Sequence, residues 1–167
     1  MRTETKTIEI YSYLDLATNP ELKEKVLNNL SNINTSHDWW DGTYEDALNI
    51  GFKITSFDLE SKLISIEQID SASEVCANIL ANHGDDCSTY KLAETFMDKF
   101  TPKFAEYWQT EEGEDELIEM EAQFFNDLAS EYLYILKSEL EYLESEEAIL
   151  ELIQANDYEF TIDGNIY

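Results

Sequence analysis

Residues 111–155 read EEGEDELIEMEAQFFNDLASEYLYILKSELEYLESEEAILELIQA, an acidic run that keeps a regular apolar pattern. Large apolar side chains recur every three or four positions, at Leu117, Met120, Phe124, Leu128, Tyr132, Ile135, Leu136 and Leu143. This spacing places them on one face of a helix and predicts amphipathic helices with acids on the outer face. Ser145 is a typical N-cap and predicts a further short helix that carries Ile149, Leu150 and Ile153.

Helix and strand patterns alternate through the rest of the chain. Apolar spacing and capping residues predict four helices. They cover residues 20–30, roughly 35–50, a segment from Ser71 or Ser73 to residue 82, and residues 88–109. Pro102 interrupts the last of these helices. Alternating β-formers predict strands near residues 7–14, 52–59, 62–69 and 157–162, of which the middle two form a hairpin. We therefore expect a single α+β domain over residues 1–167, mostly helical, with a small antiparallel sheet and its most acidic helical region at residues 111–155.

Charge is the dominant feature of the composition. The 167 residues include 37 Asp and Glu but 10 Lys and Arg, which gives a formal charge of −27. The hydrophobic share of 43% argues against a disordered acidic tail, because such tails lack the apolar side chains that offset ordering entropy. An acidic surface of this kind repels phosphate, which disfavours direct binding to nucleic acid or to anionic membranes. The expected partners are basic surfaces or cations, the alternative being that the chain has no partner.

The chain also carries signals about its compartment. It shows no export signal, which would be a basic start followed by a run of ~7–15 apolar residues. It also shows no stretch of ~18 apolar residues of the kind that crosses a membrane. We therefore expect a cytoplasmic protein that does not enter a membrane. Cys76 and Cys87 are too few for a disulfide framework. We expect two reduced thiols, a disulfide between them being the alternative.

The motifs of common catalytic and metal sites are missing from the sequence. His37 with Asp41, and His83 with Cys87, have helical ligand spacing, but zinc needs three or four ligands and no CxxC or HExxH accompanies them. There is no GxSxG and no Gly-rich phosphate loop, and the acids of residues 111–116 do not follow the alternation of an EF-hand. We expect no enzymatic activity, no metal and no cofactor.

Two adjacent tryptophans, Trp39 and Trp40, stand between Asp38 and Asp41. Consecutive residues of a helix diverge by about 100°, so both indoles cannot easily face one core. The first interpretation is that both rings pack against neighbouring elements of the protein. The second is that one ring is partly exposed and available to a protein partner, since aromatic residues often anchor interfaces.

The acids also match the charge density of DNA. A compact chain of this length has a radius of gyration of about 15 Å and spans roughly 40 Å, and about 40 Å of duplex carries roughly 24 phosphate charges. This predicts a DNA mimic that occupies the basic DNA-binding groove of another protein. A solvated acidic surface with no single partner is the alternative. Besides residues 38–41, the candidate contact residues are Glu111, Glu112, Glu114, Asp115, Glu116, Glu139, Glu141, Glu144, Glu146, Glu147 and Glu151.

Several segments resemble a family of small acidic phage and prophage proteins, some of them labelled antitoxins. They are YSYLDL at 11–16, DWW at 38–40, YED at 44–46, ITSFDL at 54–59, EYLESEEAI at 141–149 and NDYEFTIDG at 156–164. The resemblance implies a phage accessory protein in the cytoplasm of a bacterial host. For such a protein we expect inhibition of a host DNA-acting defence, of the restriction or CRISPR type, by DNA mimicry. The alternative is an antitoxin-like protein that neutralises a basic partner through Trp39, Trp40 and neighbouring aromatics.

Overall fold

The computed structural model describes residue 2, residues 7–100 and residues 109–167. These residues form two compact units. The terminal unit joins the described residues up to Trp39 to Ser138–Tyr167, and the central unit holds the described residues of Trp40–Lys137. Each unit has a hydrophobic core of its own.

The fold is of the mostly helical α+β class that the sequence predicts. Helix α6 contributes residues up to Lys137 to the central unit and residues 138–143 to the terminal unit. Among the described residues, no helix has both the length and the apolar character needed to span a membrane. In chain order the elements are β1 (Ile10–Tyr11), α1 (Tyr13–Leu16), α2 (Pro20–Asn29), α3 (Asp41–Asn49), β2 (Phe52–Asp58), β3 (Leu63–Gln68), α4 (Ala72–Asn82), α5 (Ser88–Lys99), α6 (Glu111–Leu143), α7 (Glu146–Ala155) and β4 (Phe160–Thr161).

The core of the terminal unit is built from α1, α2, α7 and β4. The Asn19 side chain caps α2 by accepting a hydrogen bond from the Leu22 N–H at 3.1 Å, and Pro20 occupies the first turn. Full burial of a side chain the size of leucine stabilises the fold by about 1.5–3 kcal/mol. The buried side chains are Leu16, Leu22, Val26, Leu30, Ile149, Ile153 and Phe160.

Aromatic contacts dominate the core of the central unit. Phe52 of β2 and Tyr132 of α6 are both fully buried, and their rings meet edge to face with centroids 4.9 Å apart. Phe96 of α5 and Phe124 of α6 lie 4.8 Å apart. Such aromatic pairs contribute about 0.5–1.5 kcal/mol each beyond the burial of their area. Helix α6 is thereby packed against both the β2–β3 hairpin and α5.

The strands differ from the prediction at the two ends of the chain. The four strands of the described residues form two antiparallel sheets, β1–β4 and β2–β3, rather than one. Within residues 7–14 the strand is short, because the Asp15 carboxylate accepts hydrogen bonds from the backbone N–H and hydroxyl of Ser12 and starts α1. Within residues 157–162 it is short because Asp157 has a φ of 50° in the turn after α7. The predicted hairpin over 52–59 and 62–69 is confirmed.

Three predicted helices are confirmed, and α3 begins later than expected. Helices α2, α4 and α7 start as predicted, α4 being capped by Ser71 rather than Ser73. The predicted start near residue 35 is wrong, because the Ser36 hydroxyl donates to the Ile33 carbonyl in a turn and α3 begins at Asp41. Helix α5 ends at Lys99. Its predicted continuation through Pro102 falls on residues 101–108, outside the described part of the chain.

Both cysteines are free thiols in the central unit, as the sequence predicts. Cys76 lies in the core, and burial raises the pKa of its thiol to about 12. Cys87 is exposed and is the residue before the first turn of α5. The buried thiol is therefore protonated at neutral pH and contributes as a small apolar side chain.

Gly164 in the terminal unit provides a test of the packing of α2. Its φ is 79°, which residues with a side chain rarely adopt, and a Cβ there would lie 2.8 Å from the Lys25 Cβ and 2.9 Å from its carbonyl carbon. We expect Gly164→Ala to lower the free energy of unfolding by about 1–3 kcal/mol, as measured by urea denaturation. Gly42→Ala in α3 is the control, because a Cβ at residue 42 would meet no atom within 4 Å apart from its chain neighbours and the backbone of its own helix, and alanine favours helices. Equal losses in the two variants would contradict this account.

Candidate functional site

The first candidate site is a group of acids at the end of α6 and along α7 in the terminal unit. This group, the α7 acidic surface, comprises Glu139, Glu141, Glu144, Glu146, Glu147 and Glu151. All of these residues are exposed except Glu139, which is half-buried. Residues 138–167 contain nine Asp and Glu and no Lys or Arg. The sequence prediction that these acids are carried on helices is confirmed for all but Glu144, which lies in the turn between α6 and α7.

Two contacts fix carboxylates of this surface. The Tyr142 hydroxyl donates to Glu151 Oε2 at 2.8 Å, which links the end of α6 to α7. Lys23 Nζ of α2 lies 2.5 Å from Glu146 Oε1, an ion pair whose side chains remain partly exposed. The pKa of Tyr142 is raised above its ordinary value. The largest cause is the hydrogen bond to Glu151, and the negative charge of Glu151, desolvation and the charge of Glu147 follow in that order. The phenol therefore stays a hydrogen-bond donor at neutral pH.

The acids stand at helix ends of opposite polarity. Glu146 and Glu147 occupy the first turn of α7, where the helix dipole favours negative charge. Glu141 lies near the end of α6, where the dipole disfavours negative charge, and the last turn of α6 contains no basic residue. The helix dipole accounts for the first pair and not for Glu141.

A second group of acids lies at the start of α6 in the central unit. Glu111, Glu112 and Glu114 occupy its first turn, and Asp115 and Glu116 follow; all five are exposed. The first-turn acids lie where the helix dipole favours them. Glu111, Glu112 and Glu114 therefore have a structural explanation that does not require a binding partner.

The tryptophan segment lies just before α3. Trp39 and Trp40 are both half-buried, whereas Asp38 and Asp41 are exposed. Because both indoles precede the helix, the argument from helical divergence does not apply to them. Trp40 packs edge to face on Phe57 of β2, with ring centroids 5.7 Å apart. Part of its surface therefore serves the hairpin.

A polar cluster that the sequence did not predict lies in the central unit. The Tyr132 hydroxyl donates to Asp46 Oδ2 at 2.5 Å, and His83 Nε2 lies 3.4 Å from Asp46 Oδ1. His83 Nδ1 shares a hydrogen bond of 2.7 Å with the Thr89 hydroxyl. The pKa of Tyr132 is raised far above its ordinary value. Burial is the largest cause, and the hydrogen bond to Asp46 and the charge of Asp46 add to it. Tyr132 thus holds the Asp46 carboxylate in place as an obligatory donor.

This cluster borders the Asp46 cleft, which has a volume of about 440 Å³. An aspartate, a histidine and a hydroxyl occur in catalytic triads, but the Thr89 side chain is buried and His83 Nε2 makes no hydrogen bond to Asp46. Within the described part of the chain, no three His, Cys, Asp or Glu side chains come together as a metal site requires. The residues that line the cleft are Asp46, Asn82, His83, Gly84, Cys87, Ser88, Thr89, Glu131, Tyr134 and Ile135.

The hydrogen bond between Tyr132 and Asp46 yields a stability prediction. We expect Tyr132→Phe to lower the free energy of unfolding by about 1.5–3 kcal/mol, because it removes a charge-assisted hydrogen bond and keeps the ring that packs on Phe52. Tyr134→Phe is the matched control, since Tyr134 is 67% exposed, and its effect is expected to stay within about 0.5 kcal/mol. Urea denaturation at neutral pH measures both variants. A loss of equal size in the two would show that the Asp46 contact adds no stability.

Comparisons with known proteins add no relative: no protein-family model, curated protein sequence or solved structure matches this chain. The charges and clefts described above are therefore the basis for a function.

Proposed function

We propose that this chain is a phage-encoded inhibitor of a host DNA-acting defence, of the restriction or CRISPR type. The α7 acidic surface enters the basic groove of the defence protein and takes the place of DNA. Binding releases the counterions of both surfaces and draws on the attraction that the groove exerts on phosphates. The protein acts as an inhibitor and not as an enzyme.

The observation that carries this proposal is the absence of cations from the C-terminal part of the terminal unit. Nine carboxyl side chains in residues 138–167 face no Lys or Arg of the same segment, and Lys23 is a cation that pairs with one of them. Glu141 adds negative charge to a helix end where it opposes the dipole. This excess of carboxylates over cations in one segment supports a contact with a basic surface of another protein.

The helices also hold the charges at defined spacings. Glu147 and Glu151 are four residues apart on α7, which is about 6 Å along the helix axis and on one face. Each strand of B-DNA carries a phosphate per ~3.4 Å of axis, so one helix face has about half the charge density of one strand. Exposed Glu144 adds negative charge just before α7, whereas the charge of Glu146 is paired with Lys23.

The acids at residues 111–116 are secondary candidates for the same contact. Three of them lie in the first turn of α6, where they stabilise the helix. We therefore assign the primary contact to the α7 acidic surface.

A second proposal is an antitoxin-like protein anchored by Trp39 on a basic partner. Its support is that Trp39 is half-buried beside exposed Asp38, so part of the indole is accessible. Trp40 is half-buried as well, and its ring contacts Phe57. Binding through an aromatic anchor should persist at high salt, whereas binding through charge mimicry should weaken.

Charge reversal on the α7 acidic surface tests the first proposal. We expect the chain to restore the plating of a sensitive phage on a bacterial host that carries one restriction or CRISPR system, within a panel of such hosts. The triple variant Glu141→Lys, Glu144→Lys, Glu151→Lys should lose at least tenfold of this protection, because it removes the charges that match phosphates. The triple variant Glu45→Lys, Glu60→Lys, Glu67→Lys is the control: it changes the net charge equally at exposed positions of the central unit.

The outcomes of this assay separate the explanations. Equal loss in both triple variants would indicate that total charge, and not the α7 acidic surface, matters. Full protection by the α7 variant would exclude this surface as the contact, and lack of protection on every host would count against the function itself. Circular dichroism on each variant verifies that the fold is retained.

Salt and DNA competition distinguish the two proposals. The immobilised chain should capture a DNA-binding complex from a bacterial lysate at about 0.1 M salt and release it at about 0.5 M salt or on addition of duplex DNA, because screening weakens charge-based contacts. Capture that withstands salt and DNA, and that is lost in Trp39→Ala, would instead support the antitoxin-like proposal.

A further inference from the structure

The Asp46 cleft of the central unit combines two carboxylates, an exposed aromatic ring and an apolar wall. We propose that this cleft receives an arginine side chain of a protein partner. The biological identity of that partner rests on the proposed function, whereas the recognition of a guanidinium group rests on the cleft alone.

The charge of the cleft fits a cation. Asp46 and Glu131 line it, and no Lys or Arg does. Half of the Asp46 side chain is exposed, although its Oδ2 accepts the hydrogen bond from buried Tyr132. Because the phenol fixes this carboxylate without neutralising it, an incoming cation meets an acceptor that is already oriented.

The walls of the cleft fit the flat faces of a guanidinium group. Tyr134 is 67% exposed and Ile135 is 38% exposed, both on α6 at the cleft. Arginine stacks on aromatic rings and is more weakly hydrated than lysine, so it gains more from an aromatic and apolar surface. This combination favours arginine over lysine.

The inner wall of the cleft includes His83. Its Nε2 is buried and lies 3.4 Å from Asp46 Oδ1, and its Nδ1 shares a hydrogen bond with the Thr89 hydroxyl. These contacts hold the imidazole in place beside the carboxylate. Guanidinium carries five N–H donors and no acceptor, and is therefore complementary to the exposed part of the Asp46 carboxylate.

Titration of the full chain with small arginine derivatives tests the proposal. The probe is N-acetyl-arginine N-methylamide, and the control probe is the citrulline counterpart, which has a similar shape and no charge. We expect the arginine probe to shift the backbone amide NMR signals of Asp46, Thr89, Tyr134 and Ile135 in a saturable manner, and the citrulline probe to leave them in place. Affinity should fall about fivefold in Tyr134→Ala and in Glu131→Gln.

A matched acidic variant controls for general charge. Glu94→Gln removes one exposed carboxylate of α5 that does not line the cleft, and we expect it to bind the probe as the unsubstituted chain does. Shifts spread over all the acidic helices, or affinity that is unchanged in Tyr134→Ala, would overturn the proposal. Equal affinity for the lysine counterpart of the probe would overturn its preference for guanidinium.

This test is independent of the phage assay. Saturable binding of the arginine probe without protection of any phage would leave the cleft as a guanidinium site and remove the proposed function. Protection without probe binding would retain the function and exclude the cleft.

Discussion

The shortage of cations is the physical constraint to which the rest of the structure responds. Thirty-seven carboxyl side chains are accompanied by ten Lys and Arg, so most carboxylates are left to water or to neutral hydrogen-bond donors. The fold provides hydroxyls and backbone N–H groups close in sequence: Asp15 accepts from Ser12, Asp58 from Ser61 and Glu74 from Ser71. Hydrogen bonds to these serines lower the pKa of all three carboxyls, so the contacts are present at neutral pH and are lost as the pH falls below the ordinary carboxyl range.

Asp46 follows the same rule in a partly buried setting. Its donor is the phenol of Tyr132, which is fully buried and also packs on Phe52. A neutral donor orients a carboxylate but leaves its charge in place, unlike an ion pair. The same is true of Glu151, which accepts from Tyr142. At Asp46 and Glu151 the fold therefore orients a carboxylate without removing its negative charge.

The features that the sequence predicted are those determined locally. Asn19, Ser71 and Ser145 cap helices within three residues of themselves, and the alternation around Phe52–Asp58 and Leu63–Gln68 is completed by the adjacent strand. The division into two sheets depends on β1 pairing with β4 from the other end of the chain, which no local pattern specifies. The contact between Asp46 and Tyr132 likewise joins residues 86 positions apart. The apolar periodicity of α6 predicts that Tyr132 faces the core, but it does not identify Asp46 as the acceptor of the Tyr132 hydroxyl.

The placement of acids relative to helix ends bears on why the protein is so acidic. Acids that serve only solubility are tolerated anywhere and are most favourable in first turns, as at Glu111, Glu112, Glu146 and Glu147. The end of α6 breaks this pattern, since Glu141 lies in a last turn without a basic residue and Glu144 follows directly. Negative charge at this end opposes the dipole of α6. A basic partner surface of the kind proposed would offset this opposition on binding, so residues that the dipole disfavours in the free chain would contribute favourably to the complex.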